Sequence, residues 1–115
     1  MSYMSHNAII VTSQDTNGLQ QAANKAIELG LQILGPSVPQ INNVSTILIC
    51  PDGSKEGWAE SNAGDLKRAK FRNWLEWQHY DDNSTIFEWV EIAYNNEYPP
   101  VIVDNSCGGR SGFEE

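Results

Sequence analysis

Apolar side chains along this chain fall into two kinds of pattern. Asn7-Ala-Ile-Ile-Val-Thr12 and Thr46-Ile-Leu-Ile-Cys50 are unbroken, β-branched runs, which predict a strand buried on both faces for the first and a strand central in its sheet for the second. From Leu19 the pattern changes: Leu19, Ala22, Ala23, Ala26, Ile27, Leu31 and Leu34 recur at three and four residues. That spacing predicts a helix whose alanines allow close approach to a sheet, with Gly35-Pro36 as its stop. A second helix is predicted over Asp65–Trp77. At about 100° per residue, Leu66, Phe71, Trp74, Leu75, Trp77 and Gln78 share one half of its wheel, the half expected to face the sheet. Arg68 and Arg72 fall outside that arc, and Lys67 and Lys70 fall inside it, either snorkelling to the rim or lining a cavity.

The rest of the pattern completes a small fold. Ile86–Tyr94 is rich in β-branched and aromatic residues and is taken as a strand, although Ile86, Val90 and Ala93 would also suit a short helix. Val101-Ile-Val103 follows the turn Asn95–Pro100 as its hairpin partner. The predicted order is β-α-β-α-β-β, a single α+β domain over residues 1–104 with two helices packed on one face of a small sheet. Residues 105–115, glycine-rich and without periodicity, are expected to form a flexible C-terminal tail.

Composition narrows the partners. The chain has 115 residues, enough for one core. Its apolar runs are too short to span a bilayer, and its opening residues lack a basic start followed by an apolar stretch. A cytoplasmic location, with Cys50 and Cys107 as free thiols, is the expectation. The formal net charge of −8 argues against a partner such as long nucleic acid. It does not exclude a small anion in a pocket, because distant charges are screened beyond about 10 Å. Lys55, Lys67, Arg68, Lys70 and Arg72 supply five of the seven Lys and Arg residues, and no acid lies between Leu66 and Trp74. Such a run suggests a docking place for something anionic; the plain alternative is a solvated face balancing the acidic remainder.

Familiar catalytic signatures are absent: there is no phosphate-binding glycine loop, no zinc-protease pair of histidines and no Cys-x-x-Cys. His6 and His79 stand alone, and Glu88 and Glu91 fall on opposite faces of their strand, where solvated or edge positions explain them. The expectation is a non-enzymatic protein without metal or cofactor. The candidate ligand-binding residues are Ser54 and Lys55 in the turn Pro51–Trp58, Trp58 itself as a stacking surface, and Lys67, Lys70 and Arg72 on the second helix. Backbone N–H groups at Gly53-Ser54 and the positive end of that helix would complete a phosphate or carboxylate site. The alternative is a surface turn in which Trp58 covers the edge of the core.

Two stretches carry a resemblance. His6-Asn-Ala-Ile-Ile-Val-Thr-Ser13 and Pro51-Asp-Gly-Ser-Lys-Glu-Gly-Trp58, followed by the basic helix ending Trp74-Leu-Glu-Trp77, resemble a family of small uncharacterised proteins of tailed bacteriophages and prophages. The resemblance spans roughly residues 6–103 and brings no functional residues with it. It implies the cytoplasm of an infected bacterium and, by analogy of class, action by binding. Two readings follow: sequestration of a small anionic ligand, a nucleotide immune signal, with a possible homo-oligomer shaping the pocket; or inhibition of a host protein through the acidic surface. A small phosphoesterase stands third.

Overall fold

The computed structural model describes residues 5–53 and 59–107. Its elements are β1 (His6–Ser13), α1 (Thr16–Glu28), β2 (Ile33–Leu34), β3 (Ser45–Ile49), α2 (Ala59–Glu76), β4 (Glu88–Tyr94) and β5 (Val101–Asn105). The strands form one sheet in the order β2-β3-β1-β4-β5, antiparallel throughout. Side chains of both helices share a single core with Ile9, Val11, Ile47, Ile49 and Trp89. The domain is therefore α+β, with both helices on one face.

β1 lies at the centre and its alternation sets the two faces. Ile9 and Val11 are fully buried beneath the helices. Ile9 sits opposite Ile49 on β3 and Glu91 on β4, and Val11 opposite Ile47 and Trp89. Ile10 points the other way and is 37% exposed. The expectation of burial on both faces is thus corrected for β1: the helices cover one side, and no described element covers the other.

α1 begins where Asp15 accepts a hydrogen bond from the Gly18 N–H at 2.9 Å, a side-chain cap of the first turn. It buries Leu19, Ala22, Ala23 and Ala26 as expected, whereas Ile27, on the same predicted stripe, is 58% exposed. It ends earlier than the periodicity predicts. Gly30 takes φ +88°, its N–H donates to Ile27 O, and the Leu31 N–H donates to Ala26 O, both at 2.9 Å. This pair of bonds closes a helix end around a left-handed glycine. Leu31 and Leu34 therefore leave the helix, and Ile33–Leu34 becomes an edge strand on β3, one strand more than predicted.

α2 differs more. It starts at Ala59, six residues before the predicted Asp65. Its buried stripe is Ser61, Gly64, Arg68, Phe71 and Leu75, at spacings of three and four. The expected arc is rotated: Leu66 is 59% exposed and Trp77 73%. Trp74 is half-buried, stacked on Phe71 with ring centroids 6.4 Å apart and tilted against Phe87. Phe71 and Leu75 remain in the core as predicted, and an arginine takes the place expected for leucine and tryptophan. At the C-terminal end β5 reaches Asn105, paired with Val90, and the Ser106 N–H donates to Trp89 O at 2.9 Å. Ordered pairing thus runs past the predicted domain limit at 104; residues 108–115 lie outside the described residues.

Candidate functional site

The register places Glu91 on the helix-covered face, beside Ile9 and Asp104. It is 1% exposed, and a carboxylate so deep in a core needs every oxygen engaged. Arg72 Nη1 donates to its Oε1. Asn7 Nδ2 donates to Oε2 at 3.0 Å, and Arg68 Nε lies 3.3 Å from the same oxygen, a charge contact without the alignment of a hydrogen bond. Arg68 is itself 3% exposed, with Nη2 at 2.5 Å from Asp65 Oδ1 and Nη1 at 3.6 Å from Asp52 Oδ2. Arg72 Nε reaches Asp104 at 3.4 Å. Two arginines one helical turn apart thus clamp α2 onto β4 through a shared buried glutamate.

Two expectations are corrected by this network. Glu91 is not solvated but is the pivot of the helix–sheet junction, while Glu88 on the opposite face is exposed as its alternation requires. Arg72, taken as a ligand contact, is already engaged by Glu91 and Asp104. The sequence carried a signal for both: Arg68 and Arg72 at i, i+4 interleave with Phe71 and Leu75, and Glu91 stands between Val90 and Ile92.

Next to this network is a cleft of about 380 Å³ between the end of α1, the exit of β3 and the first half of α2, lined among others by Gly30, Gln32, Asp52, Glu60, Lys67 and Arg68. Gly64 lets the walls approach: a Cβ there would lie 2.6 Å from Asp52 Oδ2. Lys67 Nζ lies 3.2 Å from the position a Cβ on Gly30 would take, beside the C-terminal end of α1, whose carbonyls favour a cation. Lys67 is exposed and lines this cleft from the flank of α2's buried stripe, not from between helix and sheet. Lys70 is exposed on α2. Ser54, Lys55 and Trp58 lie outside the described residues. Of the candidate site residues that are described, the cleft holds Lys67, joined by Arg68, which the candidate set omitted. Its titratable lining balances two acids, Asp52 and Glu60, against two bases, and Lys67 has no ion pair among the described residues.

Among the described residues, no group of three or more His, Cys, Asp or Glu is arranged to hold a metal ion, and no helix is long and apolar enough to cross a membrane. No protein-family model matches the chain, and no curated protein sequence matches it. Among solved structures, it is similar to the guanylate cyclase domain of RhGC from Catenaria anguillulae in complex with GTP, at 9% identity and a TM-score of 0.39, covering 96% of this chain and 72% of that one. It is also similar to the monomeric guanylyl cyclase domain of the RhoGC fusion protein from Blastocladiella emersonii, at 8% identity and a TM-score of 0.36, covering 99% and 76%. Likenesses this distant carry no argument about chemistry.

Proposed function

We propose that the protein binds a small anionic ligand of nucleotide type, without turning it over, in the cleft between α1 and α2. The observation that supports this reading is Lys67: an ammonium free of internal partners among the described residues, at the mouth of a cleft of about 380 Å³. Arg68 lies in the same wall but is buried and held by three carboxylates, so Lys67 is the cation this reading rests on. In the setting implied by the phage resemblance, retention of a nucleotide would withdraw a signal from bacterial immunity. The test is calorimetric titration with linear and cyclic nucleotides. Lys67→Ala should weaken binding by about 1.5–3 kcal/mol, the range for a charge-assisted hydrogen bond, and Lys25→Ala, which removes a cation paired to Glu28 at 3.7 Å, should leave it unchanged. Equal binding by both variants removes the cleft from the mechanism, and recovery of a cleaved nucleotide replaces sequestration with catalysis.

A second reading, an acidic surface that occupies a basic groove on a host protein, draws on one observation. Fifteen Asp and Glu stand against seven Lys and Arg, and two of those cations, Arg68 and Arg72, are engaged in the helix–sheet junction with Glu91. Co-purification of a host protein with no retained nucleotide would favour it.

A further inference from the structure

The side of the sheet away from the helices carries an aliphatic side chain on each of the five strands, with Thr12, Thr46, Glu88 and Asn105 toward one end. The registers place Leu34, Leu48, Ile10 and Val90 in one row, with Ile92 and Ile102 paired beside it. Leu34 is 61% exposed and Ile102 62%. A cleft of about 410 Å³ runs over this side past Ile10 and Val90. Glu88, at the end of β4 opposite Thr12, is the one Asp, Glu, Lys or Arg that these registers place there. A contiguous apolar patch of this kind marks an interaction surface.

We infer that this face packs against the same face of a second copy of the chain, giving a two-fold dimer with the sheets stacked and the helices outside. Area is the first argument. Strands about 4.8 Å apart, rising about 3.4 Å per residue, give a footprint of roughly 24 Å by 20 Å. Side-chain relief raises that toward the 800 Å² or so per partner of a stable interface. Charge is the second. With Glu88 the one charged residue these registers place on the face, it offers counter-charges to neither a cationic nor an anionic partner. A copy of the same face meets aliphatic side chains with aliphatic side chains, as facing sheets do at about 10 Å separation.

The test is sedimentation equilibrium of the full chain at about 100 μM, where any dissociation constant tighter than that populates the dimer. Twice the monomer mass of 12.8 kDa is expected. Leu34→Glu and Ile102→Lys each place a charge at a position already exposed in the single chain, so both should fold with unchanged circular dichroism. Each should weaken the dimer by about 100-fold or more, the effect of an unpaired charge in a buried interface. Trp77→Ala, on the exposed side of α2, should leave the dimer intact. A monomeric wild type overturns the inference, as does a dimer indifferent to both substitutions. So does a dimer that survives Leu34→Glu on β2 and is lost on Val103→Pro, because that pattern belongs to edge pairing through β5.

Discussion

α1 and α2 lie on the same sheet face and are fastened to it by different physics. α1 uses size: Ala22, Ala23 and Ala26 are buried to within 1%, so the helix backbone comes close to β1 and β3 and no polar group has to be matched. α2 uses two anchors of opposite character on one stripe, the apolar pair Phe71 and Leu75 and the charged pair Arg68 and Arg72 on Glu91. The first arrangement tolerates small rotations, because alanines offer nearly equivalent surfaces. The second fixes rotation, because a guanidinium misplaced by one position would leave a carboxylate buried alone. A helix that carries the cleft's cation must present it at a set angle, and the network supplies that angle for Lys67, the neighbour of Arg68.

The largest test of this contrast breaks the charged anchor on one side. Arg68→Met leaves Glu91 buried with Arg72 and Asn7 only, and should cost about 3 kcal/mol in urea unfolding, the lower end for half of a buried ion pair. Arg68→Met combined with Glu91→Leu removes both the charge and its need, and should return to within about 1 kcal/mol of the wild type. If the double variant is as unstable as the sum of its parts, the network stabilises α2 outright and does more than set its angle.

The same contrast explains what could be read from the chain. β1, β3, β4 and β5 were legible because their runs are aliphatic and β-branched, and α1 because its small residues keep strict periodicity. The end of α1 was not: Leu31 and Leu34 continue the helical spacing by coincidence, and the φ of +88° at Gly30 prevails over it. The face of α2 was misread for a deeper reason. A wheel scored on apolarity alone turns toward Leu66 and Trp77, whereas the sheet presents a carboxylate that only Arg68 and Arg72 can satisfy. Lys67 was legible as an anomaly, a cation on a supposed apolar arc; Glu91 showed only as an acid between Val90 and Ile92, since its burial depends on register with β1, a partner far along the chain.

A smaller effect is expected on the apolar side of the comparison. Ala23→Leu inserts volume where α1 meets the sheet and should cost about 1–3 kcal/mol by overpacking. Asn24→Leu, one residue on and exposed, should stay within about 0.5 kcal/mol. The two values, read from the same denaturation curves, measure how close the alanine contact is. A harmless Ala23→Leu would show that α1 sits off the sheet and that its looseness, not its closeness, distinguishes it from α2.

The smallest effect concerns the exit from α2, where the chain must turn back into β4 without disturbing the helix's fixed rotation. The Tyr80 N–H donates to Ser84 O and the Asn83 N–H to Tyr80 O, both at 2.9 Å, and Asn83 takes φ +71°. Asp82 Oδ1 accepts from the Ser84 hydroxyl at 2.6 Å and from its N–H at 2.9 Å. These bonds, the hydroxyl's first, hold the Asp82 carboxyl below its usual pKa of 3.8. A carboxyl depressed in the folded state binds its proton more readily when unfolded, so its contribution is present above the unfolded value and is lost as pH falls through the folded one. Asp82→Asn should therefore be slightly less stable than wild type near neutral pH, and the gap should close on acidification below about 4. The group is fully exposed, so the difference belongs to the turn and not to the core. A gap that persists unchanged at low pH would show that the turn is held by shape alone and that Asp82's charge has no part in setting where α2 ends.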